Sequence, residues 1–169
     1  KLTDEEFTTI KSHPQIGARV LMDNPLVSPM VLDVVLHHHE KVDGSGYPHK
    51  LAGDTISLFA KMGAVCDVYD AITSNRPYKK GWSPAESIRK MAEWSKGHFD
   101  ETVFQAFVKT VGIYPTGSLV RLESGRLGVV TEQSETSLLT PKVKVFFSAK
   151  MRTPILQETL DLSKLIGKE

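Results

Sequence analysis

A mainly helical domain followed by a small C-terminal antiparallel β-unit is the fold class the sequence predicts, and two observations predict it. Up to Gly112, apolar side chains recur at helical spacing between capping signals. After the Tyr114-Pro115-Thr116-Gly117 break the apolar period drops to two, the signature of half-buried strands. The expected organisation is a helical domain over residues 1–114 and a β-rich extension over 115–169.

The first helix is announced by Thr3 and, three residues later, Glu6, a capping box ahead of Phe7 and Ile10. It stops near His13, because Pro14 clashes with a continuing helix but suits the first turn of a new one carrying Ile16, Val20 and Leu21. Ser28 and Pro29 start a third helix, in which Val31, Val34 and Val35 are in phase with His38, and Leu32 and Val35 with His39. Both histidines therefore fall at its core-facing end. A long helix is expected from about Leu58 to Thr73, with Asp67 and Asp70 three residues apart on one face. Ser83-Pro84-Ala85-Glu86 opens another helix, and a last one runs from Asp100 to Gly112, making five or six in all. Beyond them lie Leu119–Leu122, a Ser124-Gly125 turn, Leu127–Val130 and Lys142–Phe147, enough for three or four short strands. Such strands bury little alone, so the unit is expected to pack on the helices.

Composition narrows the function. The 169 residues are 40% hydrophobic with formal net charge +1, which provides no broad electrostatic footprint for polymeric nucleic acid or a membrane surface. The single cysteine, Cys66, excludes an internal disulfide, and no apolar run approaches the roughly 20 residues that span a bilayer. A cytoplasmic location is expected. The chain does not begin with Met, so further sequence is expected ahead of Lys1.

The chemistry concentrates in Leu36–Lys50, LHHHEKVDGSGYPHK. Metal sites need electron-pair donors on rigid elements, and imidazole with carboxylate suits Zn, Mn or Fe. His13, His38, His39 and Asp67 all fall at helix ends or core-facing helix positions. Each taken singly has a plainer reading, as a hydrogen-bonded core histidine or a satisfied helix carboxylate. His37 reads as a solvated neighbour, His49 as an exposed loop residue and His98 as a packing or capping group. The loop Asp43–Pro48 is equally a tight turn needing positive φ and a place for a ligand to approach backbone. Arg76, Lys79 and Lys80 in SNRPYKK form either a phosphate clamp or a solvated turn. From the residues alone, both alternatives stand.

The stretch HHEKVDGSGYP, His38 to Pro48, resembles the HHExxDGxGYP signature of the HD-GYP family, bacterial phosphodiesterases of cyclic di-GMP. LTDEEFTTIKSHPQIGARVL, AVCDVYDAITSNRPYKK and GHFDETVFQAF fit the family pattern in order and spacing, so the resemblance covers about Leu2 to Gly112. It implies a helical bundle of HD type, with His13, His38, His39 and Asp67 as metal ligands and Tyr47, Arg76 and Lys79 holding substrate phosphate. Asp70 matches a family position and is assigned a supporting role. The implied cofactors are Fe or Mn, two or three ions in the intact domain, and the implied nucleophile is a hydroxide they activate rather than a side chain. The implied product is linear pGpG and, in some members, GMP, from a cyclic dinucleotide.

No His-Asp dipeptide, which names the family, occurs in these 169 residues. The expectation is a partial HD-GYP domain whose remaining ligands hold at most a partial site, so that this chain alone is inactive. Helix faces left uncovered point to an incomplete piece of a larger protein or a homo-oligomer. A second implied class is a catalytically degenerate signalling module that binds partners such as diguanylate cyclase domains. The β-extension carries no chemistry in its sequence.

Overall fold

The computed structural model describes residues 3–77 and 79–165. Tyr78 of SNRPYKK lies outside the described residues. Two compact units divide at Phe107 and Val108.

Among the described residues the first unit holds five α-helices and most of a sixth: α1 Asp4–Ile10, α2 His13–Met22, α3 Pro29–His37, α4 Leu58–Thr73, α5 Pro84–His98 and α6 Glu101–Val111, which crosses the boundary. Local chemistry starts them where the sequence places them. Thr3 Oγ1 accepts from the Glu6 amide while Glu6 Oε2 accepts from the Thr3 amide, completing the capping box. Ser28, Ser57 and Ser83 cap α3, α4 and α5 through amides three residues on, and Asp100 caps α6 through the Val103 amide. Pro14 and Pro29 sit in first turns, where the missing N–H costs nothing.

Helix α2 packs on α3, α3 on α4, and α4 on α5. Ala60, Ala64 and Val65 of α4 are buried with Ile88 and Met91 of α5, and Phe99 stacks on Phe104. Gly63 decides how closely α4 meets α3: a Cβ there would stand 2.8 Å from a Val34 methyl and 3.5 Å from the Cβ of His38. The small residue therefore lets α4 run beside the end of α3, and Asp67, one turn on, arrives next to His39.

The second unit is a four-stranded antiparallel meander in the order β1 Leu119–Arg121, β2 Arg126–Glu132, β3 Lys142–Ser148 and β4 Thr153–Asp161. Leu122, Val130, Val143 and Val145 form its own small core, with Val120, Ile155, Leu160 and Leu162 packed against it. The fourth strand is the one the apolar alternation did not single out. A bulge opposite Phe146 breaks its register, and Leu156 there is 91% exposed. Among the described residues no helix is long and apolar enough to cross a membrane.

Candidate metal centre and phosphate clamp

His13 opens α2, His38 caps the C-terminus of α3 and His39 follows it, so three separate backbone positions converge. One nitrogen from each ring lies within 4.8 Å of the others. The ring hydrogen bonds determine what those nitrogens present. His13 Nδ1 donates to the Ile10 carbonyl at 2.8 Å and His38 Nδ1 to the Val35 carbonyl at 2.9 Å. A carbonyl only accepts, so in each neutral ring the proton is on Nδ1 and Nε2 carries the lone pair. The two Nε2 atoms face each other at 3.3 Å. Two lone pairs at that distance repel unless a proton or a cation lies between them, and donors sharing one ion at roughly 2.0–2.1 Å stand about this far apart. The donor set fits a metal.

His39 completes the group. Its Nδ1 lies 3.8 Å from Asp67 Oδ2, which places the carboxylate beside the cluster as the fourth expected donor. Burial of the ring, and then the neighbouring His38, push His39 down to about 4 against the opposing pull of Asp67. At neutral pH the His39 ring is thus uncharged, with a lone pair to offer.

Tyr47 stacks on His39 with ring centroids 4.7 Å apart. Burial and the Asp67 charge raise its hydroxyl above the ordinary tyrosine range, so it keeps its proton. The loop holding it folds back on the end of α3. A Cβ on Gly46 would stand 2.5 Å from both Glu40 Cα and Lys41 N, so only glycine permits this approach, while Gly44 supplies the positive φ of +77°.

Two features lay outside the sequence reading. Glu40, 2% exposed, accepts from the His49 amide at 2.7 Å and the Leu51 amide at 3.0 Å and so ties down the far side of the loop. It stands within the signature itself, directly after the paired histidines, and that position was its only signal. His37 is not a solvated neighbour: Nδ1 lies 2.8 Å from Asp33 Oδ1 and Nε2 3.1 Å from His49 Nδ1, while Ser57 donates to the other Asp33 oxygen. Asp33 lies one helical turn earlier on the same face of α3, a spacing that draws the ring away from water. His98 does pack, stacked on Phe99 with centroids 4.3 Å apart.

Arg76 and Lys79 form a separate group past the end of α4. Their backbones exchange two hydrogen bonds, of 2.8 and 3.0 Å, which puts both side chains on one side of a tight turn. Lys79 Nζ lies 4.3 Å over the Trp82 ring. Asp70, the expected supporting residue, accepts from Ser74 Oγ at 3.2 Å at the helix end. From Asp67 to this turn is roughly 10 Å along α4.

The fold is a helical domain whose helix ends gather a histidine cluster that could hold a metal, and the HD domain family model matches residues 1–103. The chain belongs to the HD domain family. It is 67% identical over 164 residues to the cyclic di-GMP phosphodiesterase PA4108 of Pseudomonas aeruginosa, covering 97% of this chain and 39% of that protein. A cyclic di-GMP phosphodiesterase of Vibrio cholerae is 42% identical over 114 residues, 64% of this chain and 23% of its own length. Among solved structures, Bd1817, an HDG"Y"P protein from Bdellovibrio bacteriovorus, shares the fold with a TM-score of 0.52 and 21% identity, over 62% of this chain and 33% of that one. The chain thus spans about two-fifths or less of the length of these relatives.

Proposed function

We propose that this chain supplies the metal-holding histidines and phosphate-holding groups of a phosphodiesterase that hydrolyses cyclic di-GMP to pGpG and onward to GMP. The observation that carries the reading is the facing Nε2 pair of His13 and His38, with His39 and Asp67 beside it. These four residues are the proposed ligands, and Fe or Mn the proposed metal, since mixed imidazole and carboxylate donors suit either. Such ions, when bound, polarise phosphoryl oxygens and activate water at neutral pH.

The other groups bind and orient. Tyr47, protonated and stacked on His39, donates its hydroxyl to a phosphate oxygen at the cluster. Arg76 offers a planar fork and Lys79 a point charge, which neutralise charge growing on the non-bridging oxygens. Residues 1–114 act as the catalytic wall and 115–169 as an extension, in a cytoplasmic signalling protein.

The test is an assay of the full-length protein, freed of metal and then reloaded with Mn or Fe(II), against cyclic di-GMP. Chromatography is expected to show pGpG followed by GMP only after reloading. Absence of product under all loadings overturns the reading and favours a binding module.

A further inference from the structure

Lys11 ends α1 as its C-cap residue, its amide bonded to the Phe7 carbonyl at 3.0 Å. Its Nζ stands 4.3 Å over the Phe7 ring and 5.8 Å from the centre of the Tyr47 ring. Tyr47 in turn stacks on His39 of the metal cluster. The ammonium therefore stands beside the same tyrosine ring that stacks on the candidate centre. Lys11 is half-buried, and among the described residues the ion pairs of lysine and arginine are made by other side chains. Ring faces attract the cation without using its N–H groups, so three donors stay available to an anion.

A cyclic dinucleotide carries two phosphodiesters, and only one is cleaved at a time. In the reading above the clamp of Arg76 and Lys79 serves the reacting phosphate, so the second calls for a counter-charge of its own. We propose that Lys11 is a further substrate-binding residue, its ammonium held between Phe7 and Tyr47 to take the phosphodiester that is not being cleaved. The inference rests on the phosphodiesterase reading above and adds to it which side of the site the remainder of the substrate occupies.

Lys11→Met tests it in the full-length protein, because the thioether keeps the stem over Phe7 and removes only the charge. Two substrates separate the roles: cyclic di-GMP, and bis(p-nitrophenyl) phosphate, which has a single phosphodiester. The expected result is a rise of about tenfold in KM for cyclic di-GMP, the usual size of one lost charge-assisted contact, with kcat and metal content unchanged. Turnover of bis(p-nitrophenyl) phosphate should stay at the unsubstituted level, and Lys11→Arg should restore KM for the dinucleotide. Equal losses on both substrates, loss of metal, or no change on either would overturn the assignment of Lys11. An unsubstituted protein that cleaves bis(p-nitrophenyl) phosphate but no cyclic dinucleotide would instead overturn the functional reading beneath it.

Discussion

His13 Nε2 and His38 Nε2 face each other at 3.3 Å, each ring held in that tautomer by a backbone carbonyl on its other nitrogen. Residues 25 positions apart thus present paired lone pairs to one point, an arrangement that a cation relieves.

Removing either imidazole should therefore remove metal. His38→Ala and His13→Ala in the full-length protein are each expected to lower metal content measured by elemental analysis at least tenfold, and activity with it. Full metal retention in either variant would show that the cluster is not a ligand set.

Arg76→Ala separates substrate holding from metal holding. The expected outcome is a fall of about a hundredfold in kcat/KM on cyclic di-GMP with bound metal unchanged, as for loss of one donor to a developing oxyanion. Metal loss in this variant would place Arg76 in the wrong role.

The depressed pKa of His39 makes metal-free stability pH-dependent. Unfolded, the ring binds a proton near 6.5; folded, it does so only at about 4. The unfolded state takes up the proton first, so stability is complete above pH 6.5 and is lost as pH falls towards 4. His98, also pushed down by burial, acts in the same sense. Urea midpoints recorded across that window should decline for the metal-free protein and decline less for His39→Asn. Parallel curves for the two proteins would refute the assignment.

Glu40→Ala should loosen the loop that carries Tyr47. The change leaves the His49 and Leu51 amides without their carboxylate partner, and such charge-assisted bonds are worth about 1.5–3 kcal/mol each. Loss of about 3 kcal/mol in urea unfolding is expected, with quenching of the His39–Tyr47 contact visible in the Tyr47 NMR shifts. A variant as stable as the parent would mean that the loop holds its shape without Glu40.

What the sequence alone determined was everything that depends on near neighbours. The caps at Thr3, Ser28, Ser57, Ser83 and Asp100 are bonds across three residues, so helix starts follow directly from residue order. The change of period after Gly117 likewise predicted strands, because alternation is a property of a short stretch. The identities of His13, His38, His39, Asp67, Tyr47, Arg76 and Lys79 came from the motif. Their convergence did not, since bringing His13 to His38 and Asp67 to His39 depends on how α2, α3 and α4 pack, and on the absence of a side chain at Gly63. The same holds for His37, which looked solvated by helical phase alone and is bonded to Asp33 and His49. Lys11 and the bulged β4 had no local signal either, and Glu40 had only its place in the signature. Their roles are made by loops and rings arriving from distant positions, and only tertiary packing decides which groups meet there.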